Sequence, residues 1–108
     1  MAQLFVLGDD LMFGSRLEAD LGAAGHTVRL GLTVPRECDA VLADLTHDAA
    51  RRIAALIYVR LPVLAFYSHV EEDVRAAAQE AGFGLVVPRS RMAREAPVLV
   101  ERLLATAR

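Results

Sequence analysis

The sequence predicts an open α/β domain, a parallel sheet covered by helices, on three observations. Short apolar runs alternate with segments of helical spacing along the whole chain, which is the pattern of strands joined by crossover helices. The 108 residues leave room for one hydrophobic core and no second. The residues able to carry chemistry gather just after the strand runs, where sheets of this kind place their ligands.

Leu4 to Leu7 is a continuous apolar run closed by Gly8, which reads as a strand buried on both faces. Phe13, Leu17 and Leu21 follow at helical spacing, and Gly25 stands where a left-handed helix cap is needed. His26 to Leu30 is a second, shorter strand, and Asp39 to Asp44 is a third. A helical stretch follows from about His47 to Arg60. The fourth strand, Pro62 to Tyr67, opens on a proline whose missing N–H does little harm there. Val70 to Ala81 forms the next helix, ended by Gly82, and Leu85 to Val87 is the fifth strand. Residues 91–107 make the last helix, in which Pro97 either introduces a kink or delays the start. Five strands and four helices result.

The alternation has one gap. Gly31 to Cys38 must join two parallel strands, a task that usually takes a dozen residues or more. Eight extended residues reach roughly 27 Å, enough to return along a strand but not to add a helix. A sheet face is then left partly bare. Ile53, Leu56, Ile57, Tyr58, Val59 and Leu61 leave the helix from His47 to Arg60 little polar face, so it is either deeply buried or covered by a second copy or another partner.

Composition narrows the function. Hydrophobic residues make up 55% of the chain, so a core forms without disulfides or metal. The longest apolar stretches, such as Ile53 to Val59, are too short to cross a bilayer, and no export signal opens the chain. With a single cysteine, Cys38, these features predict a cytoplasmic domain. The net charge is −2 and the only local basic cluster is Arg89, Arg91 and Arg94, which argues against nucleic acid as a partner. All twelve basic residues are arginine, so no role that needs a lysine ammonium is filled.

The strand ends carry Asp9 and Asp10, then Asp44, Thr46 and His47, then Ser68 and His69, and finally Arg89 and Ser90. Three converging carboxylates repel one another unless a cation balances them, and oxygen ligands suit a hard ion such as Mg²⁺. Each strand end must also start a helix, and Asp10, Thr46, Ser68 and Ser90 are good N-caps, with Ser68 and Glu71 spaced as a capping box. Asp44 is harder to assign to capping, because a carboxylate at the inner end of a central strand is costly to desolvate without partners. His47, His69 and Asp44 form a conceivable transition-metal set without recognised ligand spacing. Ser68 beside His69 does not make a hydrolase pair, since adjacent side chains on a strand end point apart. Arg16, Arg89 and Arg91 form a candidate anion-binding group at the same edge. Cys38 starts its strand at the opposite edge and reads as a small packing residue.

An acidic pair ending strand one, an aspartate ending strand three and a hydroxyl ending strand four resemble the receiver (CheY-like) domain of response regulators. The resemblance spans residues 1–108 as a single receiver-like domain and is closest from Val63 to Val87. The segments Asp9 to Arg16, Ser68 to Val70 and Pro88 to Ser90 are also similar to small stand-alone receiver-like proteins of unassigned function. The resemblance implies a flavodoxin-like three-layer sandwich of strand order 2-1-3-4-5 with the second helix missing or vestigial. It further implies Mg²⁺ at Asp9, Asp10 and Asp44, phosphoryl acceptance at Asp44, and Ser68 as the switch hydroxyl. The departures are Val86-Val87-Pro88-Arg89 where receivers carry a lysine, and Leu45-Thr46-His47-Asp48 in place of the usual Met-Pro pair and glycine. Arginine's planar head is a poor substitute for a compact ammonium. The expected function is therefore that of a non-enzymatic pseudo-receiver acting through protein contacts, a homodimer among them, without the standard phosphorylation switch. The alternatives are an unorthodox phospho-acceptor at Asp44 and a small enzyme or ligand binder using the same acidic edge.

Overall fold

The computed structural model describes residues 1–107. Five strands, β1 (Gln3–Leu7), β2 (Thr27–Gly31), β3 (Ala40–Asp44), β4 (Val63–Tyr67) and β5 (Leu85–Pro88), form one sheet in the order β2-β1-β3-β4-β5 with every pairing parallel. The helices are α1 (Leu11–Ala23), α2 (Ala49–Leu56), α3 (Glu72–Glu80) and α4 (Arg89–Thr106). This is the predicted topology, with the crossover between β2 and β3 lacking its helix.

The central strands β1, β3 and β4 are buried along nearly their whole length, and their side chains alternate between two cores. Leu4, Val6, Leu42, Leu64 and Phe66 face α1 and α4, meeting Phe13, Leu17, Leu21, Met92, Leu99 and Leu103. Phe5, Leu7, Val41, Ala43, Ala65 and Tyr67 face the other way, against Leu56 of α2 and Ala78 of α3. Half-buried Val34 and Cys38 of the β2–β3 connector pack onto this second core and stand in for the missing helix. Gly31 is part of the same economy. The Phe5 ring lies over it, and a Cβ there would come within 3.1 Å of the ring.

Helix ends follow the sequence signals at three places. After α1 the His26 N–H donates to the Leu21 carbonyl and the Gly25 N–H to the Gly22 carbonyl, with Gly25 at φ 97°. That is a Schellman stop, which only glycine enters cheaply. Gly82, at φ 78°, ends α3 in a related way. In α4 the backbone leaves helical geometry at Glu95, two residues before Pro97, so the proline opens a second helical segment.

Other expectations are corrected. The helix foreseen from His47 to Arg60 is only Ala49–Leu56. Asp48 spends a residue in left-handed backbone at φ 50°, and the Val59 N–H turns back to the Leu56 carbonyl. Ile57 and Tyr58 are consequently 45% and 89% exposed rather than buried on a helix. The Ser68–Glu71 capping box does not form. The Ser68 carbonyl accepts the Glu71 N–H in a turn, which delays α3 to Glu72, and Glu71 makes no side-chain cap. Ser90 lies inside α4, whose N-cap position is Pro88.

Candidate functional site

The candidate site lies at the carboxyl ends of β1, β3 and β4. Asp44, the last residue of β3, is 2% exposed. Its Oδ1 accepts two hydrogen bonds from Thr46, one from the backbone N–H at 2.9 Å and one from the hydroxyl at 2.5 Å. This small turn satisfies one carboxylate oxygen of a residue that would otherwise be expensive to bury. No hydrogen bond reaches Oδ2 among the described residues. Gly8 makes the space beside it. A Cβ on Gly8 would stand 3.0 Å from the Asp44 Cβ, 3.5 Å from its Oδ2 and 3.7 Å from an Arg52 guanidinium nitrogen.

Arg52 is the residue the sequence reading missed. It sits on the inner face of α2, and only 6% of it is exposed. Its Nη1 donates to the Asp44 backbone carbonyl at 2.8 Å, and its Nη2 donates to Asp9 Oδ1 at 3.3 Å. One guanidinium therefore ties α2 to the ends of both β1 and β3. The available signal was its place on the inner row of α2: Arg52 precedes Leu56 by four residues and follows Ala49 by three. A cation on that row had to find an anion or a carbonyl inside.

The remaining candidates point elsewhere. Asp10 is the N-cap of α1, accepting the Phe13 N–H on Oδ1 at 3.0 Å, while Arg89 Nη2 lies 3.6 Å from its Oδ2. The Arg89 guanidinium also stacks on the Phe13 ring, 4.1 Å from its centroid. Arg89 thus belongs to the junction of α1 and α4. Arg16 and Arg91 each pair within their own helix, with Asp20 at 4.0 Å and Glu95 at 3.5 Å, so the three arginines form no shared anion cradle. The sheet register sets Asp44 opposite Phe66, and half-buried Ser68 follows directly after the end of that neighbouring strand. His47 and His69 are exposed, and among the described residues no three His, Cys, Asp or Glu side chains are grouped to hold a metal. The expected convergence of Asp9, Asp10 and Asp44 is not assembled, because the first faces Arg52, the second caps α1 and the third is folded onto Thr46.

The same architecture occurs in solved proteins. The receiver domain of Francisella response regulator 1452 superimposes with a TM-score of 0.81 over 100% of both chains at 11% identity. A response regulator from Thermotoga maritima gives 0.77 over 95% of this chain and 97% of its own at 13% identity. NtrX from Brucella abortus gives 0.82 at 19% identity, covering 98% of this chain but 27% of NtrX. The fold is that of a receiver domain. No family model matches the sequence, and no curated protein matches it either. Among the described residues, no helix is long and apolar enough to cross a membrane.

A receiver-type Mg²⁺ ion would need near-octahedral oxygen ligands at about 2.0–2.1 Å. The residues present do not fit that ion. Two of the three carboxylates are turned toward different arginines, and the Arg52 charge stands between β1 and β3 where an ion would be drawn.

Proposed function

We propose that the domain is a non-enzymatic regulatory module of the receiver kind, working in the cytoplasm by protein contact and without the phosphorylation cycle of that family. The observation that carries this reading is the end of β5. Pro88 pairs with Tyr67 there, and the cation that follows it in the chain, Arg89, is committed to Asp10 and Phe13. The chain has no lysine to meet an aspartyl phosphate at Asp44, and the broad fork of Arg89, already engaged with Asp10 and Phe13, is a poor replacement for one.

The contact surface lies on the face whose helix is missing. A groove of about 500 Å³ runs between the β2–β3 connector and the end of α2, walled by Leu32, Val34, Ala55, Val59 and Leu61 with Arg36 and Arg60 at its rim. Leu32 is 61% exposed, and Ile57 and Tyr58 are exposed on the turn after α2. An uncovered patch of this kind marks an interaction site, and a second copy of the chain is one partner it would suit.

A second reading is kept by one observation: among the described residues no hydrogen bond reaches Asp44 Oδ2, leaving that oxygen to accept a phosphoryl group. An amide NMR titration with Mg²⁺ and then beryllofluoride separates the two. The proposed module leaves Asp9, Asp44 and Ser68 unshifted. Shifts centred on those residues and spreading into β5 establish the phospho-acceptor instead.

A further inference from the structure

We propose that Arg52 is a resident counter-ion, which takes the position of a divalent cation between β1 and β3 and closes the acidic edge to metal. The inference deepens the reading of the domain as a module without a metal-dependent switch, and rests on it.

Three observations converge on Arg52. The first is placement. The guanidinium touches the two elements that a cation at this edge must bridge, the carboxylate of Asp9 after β1 and the main-chain oxygen of Asp44 at the end of β3. Both contacts are to oxygens, the ligand type a hard ion would also seek. The second is burial. An arginine removed from water to this degree is costly unless its N–H groups find acceptors, so its presence needs the anion and carbonyl it meets. The third is the close packing around it. A Cβ on Gly8 would crowd the Asp44 Cβ at 3.0 Å and lie in ordinary contact with the guanidinium at 3.7 Å, so the glycine leaves Asp44 and its bound arginine where they are.

The electrostatic consequence follows directly. A fixed positive charge beside Asp9 and Asp44 does the neutralising that a bound ion would do, and repels an ion that approaches. Unlike an ion, it cannot dissociate or be chelated. The acidic edge is therefore held in one electrostatic state, and neither metal supply nor chelators change it. The same side chain pins α2 to the sheet, so the turn carrying Ile57 and Tyr58 is held by the same lock.

The test is a binding titration of metal-free protein with MnCl₂, read by paramagnetic broadening of amide signals, with MgCl₂ as the diamagnetic competitor. Wild type is expected to show no broadening centred on Asp9 and Asp44 at sub-millimolar Mn²⁺. Arg52→Met keeps the unbranched stem without the charge, and Arg52→Gln keeps a donor for the Asp44 carbonyl. Either is expected to bind Mn²⁺ at this edge at least about ten-fold more tightly than wild type, as removal of one close like charge predicts. Adding Asp9→Asn should abolish the gain. If a folded Arg52 variant stays as silent as wild type, the counter-ion proposal is overturned while the function proposed above stands. If wild type itself binds at Asp9 and Asp44 as well as the variants do, both fall. Should neither variant fold, the wild-type titration still decides, because binding centred on those two residues contradicts a resident cation.

Discussion

The two faces of the sheet are closed in different ways. On one, α1 and the long α4 lie across the sheet and seal a core that includes Phe66, Leu17, Met92 and Leu99. On the other, two short helices and an extended connector share the work, and the cover is incomplete. Leu32, Ile57 and Tyr58 stay in solvent, and the one buried cation of the domain's described residues, Arg52, serves that side. The difference shows what a deleted crossover helix costs. The strands keep their pairing, because the register is set by backbone bonds and by apolar alternation. What is lost is apolar cover, and part of the tie between helix layer and sheet passes to a guanidinium.

The comparison predicts unequal responses to the same kind of truncation. Leu99→Ala on the sealed face should cost about 3–4 kcal/mol, because a rigid core cannot collapse around the cavity. Val34→Ala on the connector should cost under about 1.5 kcal/mol, since this half-buried side chain can be replaced by water. Urea unfolding midpoints measure both, and equal losses would erase the distinction between the faces.

Gly8→Ala should come next, at about 1–3 kcal/mol, through the overpacking of its new methyl against the Asp44 Cβ, which shifts the residue that Arg52 holds. The diagnostic is where amide shifts appear. They should reach α2 through Arg52 and leave α4 unmoved. Asp10→Ala removes the α1 cap and should cost about 1 kcal/mol. Its effect should stay on the sealed face, visible as release of Arg89 from the Phe13 ring, whose signals lie beneath it.

The double change Leu32→Ser with Tyr58→Ser should alter stability by no more than about 0.5 kcal/mol, since both side chains already contact solvent. Sedimentation velocity should show any self-association of the wild type weakened in this variant. The smallest effect concerns Cys38. Burial holds its thiol above the ordinary range, offset in part by a backbone hydrogen bond from Ala40 and reinforced by Asp39. The folded form therefore keeps its proton after the unfolded chain begins to release it, so stability should fall as pH rises past about 8.5. In Cys38→Ala that alkaline slope should flatten, which thermal unfolding between pH 7.5 and 9.5 would reveal.

The legibility of the sequence varied with the range of the interaction involved. The stops at Gly25 and Gly82 were readable because each is a local contest between a helix and a residue free to turn left-handed. Asp10 as a cap was readable for the same reason, while its ion pair with a residue 79 positions away was not. The early end of α2 escaped because an apolar run looks the same whether it continues a helix or turns away, and only contact with the connector and sheet decides between them. Ser68 and Thr46 are the hydroxyl-bearing residues that depart from the capping roles their positions predict, the N-cap position of α2 being Asp48. The predicted cap at Ser68 gave way to a backbone turn, and Thr46 took up the Asp44 oxygen.

By itself the sequence determined the alternation of strands and helices, the parallel character of the sheet, the absence of one crossover helix and the gathering of acids at the carboxyl edge. These follow from hydrophobic period, chain length and turn chemistry, all of which act over a few residues. Only the tertiary structure decided which charge each acid meets. Asp9 and Arg52 are 43 residues apart in the chain, yet they are joined across the end of the sheet. An arginine's partner is set by where the helix carrying it docks, and no local pattern encodes that geometry.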